Sequence, residues 1–374
     1  MLGSSTGNSP EPPGAWSANP YATPQERAGS ESGSRTYSRG FLNLLRATGR
    51  KLLIIEDLVK CYRGSTRAND GISLHVEAGE VVGLLGHNGA GKTTLINQVA
   101  GLAMPTSGTI RVSGIDPVAE PAKVRRMVSI MPQAHAPLAG VTPRQATRTL
   151  ARIRGLDKQA ARARTDELIA ALDIEAWADT TGEKLSGGVR RLTAFAMAAA
   201  AGPGRVVMLD EPTNDVDPVR RRLLWEQIRE LANRGCAVLL VTHNVIEAER
   251  SVDRIVVMAS GKVVAEGTPA QLRSRAVGEF RLELTAATDG DLPKLPDHIT
   301  AAGPTMNSTR RLVVPLDSDA ASPALAWAQQ LRDKGDIDEF ALVPVGLEDV
   351  YVQLSGDEAA LEAEKGAQGE PLAA

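Results

Sequence analysis

Aromatic residues make up only 3% of this 374-residue chain, and cysteine occurs just twice. Cys61 and Cys236 lie far apart, and neither has a partner at C-x-x-C spacing. That argues against a disulfide scaffold or a structural zinc site and suits a reducing compartment. An excess of one charge is also lacking. The 42 basic and 45 acidic residues leave a formal net charge of -3. Such a balance projects no field toward nucleic acid or an anionic bilayer, so no nucleic-acid partner is expected. Apolar runs are short. The longest, around 238–241 and the Ala-rich 195–202, fall well below the about 20 residues of a spanning helix. No basic patch followed by an apolar core opens the chain, and no secretory leader is expected.

What remains is ordinary globular material, 43% hydrophobic and 23% charged, with room for one large domain and a smaller one. Residues 1–40 hold six Gly, eight Ser and five Pro. A segment so poor in apolar surface cannot offset its ordering entropy, so residues 1–50 are expected to form a disordered extension. The apolar patch 41–45 reads as a frayed turn before an ordered start near Leu52. From there to about Gln271 short apolar strands alternate with helical patterns, which predicts an α/β domain. Strands are expected at 52–58, 74–76, 81–85, 109–112, 127–131, 206–209, 238–241, 255–258 and 262–266. Between Thr142 and Thr181 the pattern turns helical, like an inserted subdomain. Past Val277 a second unit is expected, with strands at 280–284, 311–314 and 339–343 and a helix over 323–334. The predicted organisation is a domain over 51–276, a small α+β domain over 277–356 and a flexible tail over 357–374.

One motif fixes the chemistry. Gly86-His87-Asn88-Gly89-Ala90-Gly91-Lys92-Thr93 fits G-x-x-x-x-G-K-[ST], preceded by strand 81–85 and followed by a helix from Thr93. Glycines let backbone N–H groups curl around phosphate oxygens, backed by the positive helix end. Lys92 would neutralise β- and γ-phosphates, and the Thr93 hydroxyl would hold magnesium. Residues 206–211 form an apolar strand ending in Asp210 and Glu211, at the edge where α/β sheets hold ligands. Asp210 would take the magnesium side and Glu211 the water side.

The segment Leu185-Ser186-Gly187-Gly188-Val189-Arg190-Arg191 lies between these motifs. With the loops around it, it resembles the ATP-binding cassette (ABC) family over about 52–271. The resemblance implies a P-loop nucleotide-binding fold with a mixed central sheet and a helical subdomain. It also implies ATP and Mg2+ as ligands. Tyr62 matches the aromatic that stacks on adenine, and Gln133 the Q-loop glutamine that senses magnesium. Ser186, Gly187 and Gly188 match the signature that caps the γ-phosphate of the opposite subunit. Asp217 closes the D-loop match, and His243 matches the switch histidine. The implied ATP-binding set is Tyr62, Gly86 through Thr94 (including Thr94 itself) and Gln133; Glu211 and His243 are the implied catalytic pair. Thr93, Gln133 and Asp210 are the implied metal ligands. Val189 departs from the glutamine common after the signature, and Asn214 to Asp217 departs from the usual D-loop wording.

Near the C-terminus Gly346-Leu-Glu-Asp-Val-Tyr351 resembles the motif closing many ATPase subunits of ABC-2-type and drug exporters. As residues alone it predicts an amphipathic helix, with Leu347, Val350 and Leu354 packing on the small domain. The resemblance implies an ATPase subunit at the cytoplasmic face of the membrane. It pairs with a second ABC subunit and drives export through a separate permease. An importer ATPase with a regulatory C-terminal domain stays open, as does a soluble ABC ATPase outside transport.

Overall fold

The computed structural model describes residues 49–63, 66–134, 138–200, 202–242, 249, 251–287 and 292–355. The N-terminal segment through residue 48, His135, His243 and the tail from residue 356 lie outside them.

Strands β1 (Lys51–Cys61), β2 (Arg67–Glu77) and β4 (Ser107–Val112) form an antiparallel sheet in the order β2-β1-β4. A second sheet collects β3 (Val81–Leu85), β5 (Val128–Met131), β6 (Val206–Asp210), β7 (Ala237–Val241), β8 (Arg254–Ala259) and β9 (Lys262–Gly267). Its order is β5-β6-β7-β3-β8-β9; β9 alone runs antiparallel to its neighbour. Parallel strands covered on both faces need apolar residues at every position, which explains the unbroken runs VVGLL and AVLLV. Alternate side chains feed two cores. Val207, Leu209, Val238 and Leu240 pack with Leu192, Phe195, Leu224 and Ile228. Val206, Met208, Leu239 and Val241 pack instead with Leu53, Ile55, Leu95 and Ile110.

Helix α1 (Lys92–Val99) follows β3, and α2 (Pro121–Met127) leads into β5. The expected strand over 127–131 therefore begins one residue later, because Met127 closes that helix. The helical subdomain holds α3 (Pro143–Ile153), α4 (Lys158–Ala171) and α5 (Gly187–Ala199). Thr142 and Gln145 cap α3 reciprocally, with Pro143 in its first turn. Helix α6 (Pro218–Asn233) leads to β7, and α7 (Pro269–Arg273) follows β9.

The C-terminal unit is an antiparallel sheet of β10 (Phe280–Ala286), β11 (Met306–Asn307), β12 (Arg311–Leu316) and β13 (Ile337–Pro344), ordered β11-β12-β10-β13. Helix α8 (Ser318–Lys334) covers one face, where Leu282, Leu284, Val314 and Leu316 meet Ala324 and Ala328. This helix is longer than the expected 323–334. It begins at Ser318 instead, with Pro323 inside, because Asp319 and the alanines after it carry the first turn. A second correction concerns α9 (Leu347–Ser355). It packs against α7, β8 and β9 rather than on the small unit. Leu347 belongs to the apolar cluster that holds Val252, Ala265 and Leu272. The polar side of α9 faces the other way, with Asp349 paired to Arg281 of β10.

Candidate nucleotide site

Leu84 of β3 and Asp210 of β6 both stand level with Val241 of β7, which runs between them. The loops leaving β3 and β6 thus open at the same end of the sheet, about two strand spacings of 4.8 Å apart. This is the crevice where parallel sheets take ligands.

The loop after β3 is held tightly. Gly91 has φ 101°, and a Cβ there would stand 2.1 Å from the Ala68 carbonyl oxygen. At Gly86 a Cβ would stand 2.6 Å from the Met258 carbonyl oxygen. Fully buried Asn69 donates from Nδ2 to the Gly91 carbonyl at 3.1 Å. Its Oδ1 accepts from Gln98 Nε2 at 2.6 Å. Lys92 Nζ donates to the Gly86 carbonyl and, at 3.0 Å, to that of His87, so the ammonium lies inside the loop. No side chain caps the start of α1, and a helix N-terminus attracts an anion.

Across the crevice, Asp210 and Glu211 are both buried. Glu211 has φ 49°, a conformation that costs a non-glycine residue roughly 1–3 kcal/mol. Its amide donates to the Val241 carbonyl at 2.8 Å, and its Oε2 accepts from Thr242 Oγ1 at 3.2 Å. Burial, then the adjacent Glu211 charge, push the Asp210 carboxyl above its ordinary range; Lys92 and Arg191 pull the other way. Asn88 through Thr94, Gln133, Asp210 and Glu211 line one cavity together with Ala68. Two buried carboxylates beside a threonine hydroxyl and a glutamine amide make a set of hard oxygen donors. The set fits a divalent cation such as magnesium.

The signature lies elsewhere. Ser186 caps α5, its Oγ accepting from the Val189 amide at 3.3 Å. A Cβ on Gly188 would stand 2.7 Å from the Asp215 carbonyl oxygen. Asp217 caps α6, accepting from the Val219 and Arg220 amides at 3.1 and 3.0 Å. The Arg220 amide, and then the Arg220 side chain, hold the Asp217 carboxyl below its usual range against the opposing cost of burial. Neither Asp217 nor Ser186, Gly187 and Gly188 are among the lining residues of the cavity. Nor is Tyr62, which is 48% exposed and carries Lys60 Nζ 5.0 Å above its ring. Gly86 and His87 support the loop from behind, the His87 ring nitrogen lying 2.8 Å from the Asn88 carbonyl.

The ABC transporter family profile matches residues 69–214. Daunorubicin resistance ATP-binding protein DrrA3 of Streptomyces coeruleorubidus is 34% identical over 296 residues, covering 79% of this chain and 93% of that protein. The chain belongs to the ABC transporter family, among its ATP-binding proteins. Nod factor export ATP-binding protein I of Paraburkholderia xenovorans is 35% identical, with 81% of this chain and 96% of that protein covered. An ATP-binding subunit of an ABC transporter superposes with a TM-score of 0.56 at 28% identity, over 60% of this chain and 92% of that one. The Clostridium perfringens cbiO1 protein, part of the transporter complex cbiONQ, does so at 0.52 and 26%, with the same coverage.

Two cassette residues escaped the sequence reading. Asn69 lies ahead of the expected strand over 74–76, on a strand that in fact begins at Arg67, and only its bond to the Gly91 carbonyl reveals it. Arg191 reads as half of an exposed arginine pair after the signature, yet it is 1% exposed. Val189, in the first turn of α5, is buried in the apolar core.

Proposed function

We propose that this cassette hydrolyses ATP at sites shared by two copies and drives export through a separate permease. The carrying observation is the gathering of Lys92, Thr93, Gln133, Asp210 and Glu211 around one cavity while Ser186 to Gly188 stand outside it. A phosphate bound by one chain then has the signature of a second chain as its remaining wall. Lys92 and the loop amides bind and orient the β- and γ-phosphates. Thr93, Gln133 and Asp210 would hold magnesium, which supplies charge neutralisation when bound. Glu211 takes a proton from the attacking water, oriented by the Thr242 hydroxyl on its Oε2. Tyr62 offers its exposed ring to the adenine, and His243 would contact the γ-phosphate.

The direction of transport follows from similarity. The match to the daunorubicin resistance protein spans 296 residues, more than all those up to residue 276, so the likeness reaches into the C-terminal unit. No described helix is long and apolar enough to cross a membrane; in this reading the cassette sits at the cytoplasmic face and the permease carries the substrate path.

The test is Glu211→Gln. The amide keeps the shape and accepts no proton, so ATP affinity should persist while turnover falls by at least about 100-fold. Turnover near that of the unaltered chain would remove Glu211 from this role.

A further inference from the structure

We infer that Arg191 is a positioning residue for hydrolysis: one guanidinium fixes the backbones that carry Gln133 and Glu211. The inference rests on the proposed ATPase reading and adds a residue to it.

Arg191 projects from α5, five positions after Ser186, and is 1% exposed. All five of its N–H donors are engaged, each by a backbone carbonyl. Nε donates to Glu211 O at 3.1 Å. One terminal nitrogen donates to Pro132 O and Gln133 O, at 2.9 and 2.8 Å. The other donates to Asp210 O and Glu211 O. These carbonyls end β5 and β6, the neighbouring strands whose C-terminal loops carry the magnesium-side and water-side groups. A guanidinium has five donors in a fixed plane, a number no other side chain offers.

Glu211 is where such a clamp matters. Its φ of 49° is strained, and strain persists only where the surroundings over-determine it. Its amide is tied to Val241, its carboxylate to Thr242, and its carbonyl to Arg191 twice over. That carbonyl also takes the Asn214 amide at 3.4 Å, a longer contact than the 3.1 Å bond from Arg191 Nε. Scaffolding alone would need no link to Gln133 as well.

The experiment uses the full chain with Arg191→Lys and Arg191→Gln, measuring melting temperature, ATP affinity, kcat, KM and the magnesium concentration for half-maximal turnover. Lysine keeps the buried charge with three donors; glutamine keeps two donors and no charge. We expect kcat to fall roughly 30- to 100-fold, as an ångström-scale misplacement does, with lysine the milder variant. ATP affinity should change by less than about threefold, since the phosphate loop is untouched, and the magnesium requirement should rise severalfold as Gln133 loosens. Folded variants with unaltered kcat and magnesium dependence would overturn the proposal. So would loss of folding in both variants, which would make Arg191 scaffold only. An unaltered chain without ATP turnover would instead overturn the ATPase reading itself.

Discussion

Gly188 of the signature and Asp215 of the loop before α6 touch so closely that a methyl group on the glycine would lie 2.7 Å from the Asp215 carbonyl oxygen. The signature and the D-loop of one chain are therefore in direct backbone contact. Gly188→Ala should force them apart at an overpacking cost of about 1–3 kcal/mol. It should leave ATP binding to the same chain's phosphate loop intact while depressing turnover. Equilibrium nucleotide binding and steady-state hydrolysis, measured together, check this; a parallel loss of both would place Gly188 at its own chain's nucleotide.

Lys92→Ala and Ser186→Ala should complement one another. Each lesion spoils both sites of its own homodimer, whereas a mixed dimer gathers both lesions into one site and spares the other. Mixing the two inactive proteins should restore up to about half of the activity of each intact dimer present, by mass action among the dimers. Background activity despite demonstrated mixed dimers would rule out shared sites that work independently.

Asp210 should make the nucleotide-free protein more pH-sensitive. Its folded carboxyl sits above the ordinary value of 3.8, chiefly through burial and then Glu211. Above that value the folded state holds its proton longer than the unfolded state, so this group's contribution to stability declines as pH rises. Asp210→Asn has no proton to lose. Its melting temperature relative to the unaltered chain should climb with pH, while turnover collapses. A difference that shrinks with rising pH would mean that the ionised carboxylate is favoured in the fold.

Leu347 should behave as a cassette residue. It is 3% exposed in the cluster that includes Val252 and Leu272. Leu347→Ala should cost about 2–5 kcal/mol, as truncation of a buried leucine does. A chain ending near Ala276 should bind ATP yet unfold at lower denaturant concentration. Denaturant titration of both decides; unchanged midpoints would show that α9 contributes nothing to the cassette.

The strands of the central sheet were legible because burial on both faces forces every position to be apolar, as at 81–85 and 206–209. The loop over 86–93 was legible because its glycines stand where a side chain would collide with backbone, as at Gly86 and Gly91. Arg191 was not. A charged residue beside another arginine carries the pattern of a solvated surface, and only its place four residues before buried Phe195 sets it on the inner face of α5. The partner of α9 was equally hidden. An apolar stripe at 347 and 350 states that something covers it, while the choice between two nearby surfaces is made by tertiary packing. The start of α8 was hidden for a related reason, since Pro323 lies inside a helix already begun at Ser318.

The packing of α9 sets an order of events during synthesis. Residues around Val252, Ala265 and Leu272 leave the ribosome well before Leu347, the side chain that completes their cluster. At about 5–20 residues per second, the nascent cassette spends seconds with that apolar patch open to water while β10 through β13 are still being made. A message truncated in that interval would release a protein whose nucleotide loop is entire but whose flank is greasy and adhesive. Helix α9 thus closes the core of the cassette long after the rest of that cluster has been made.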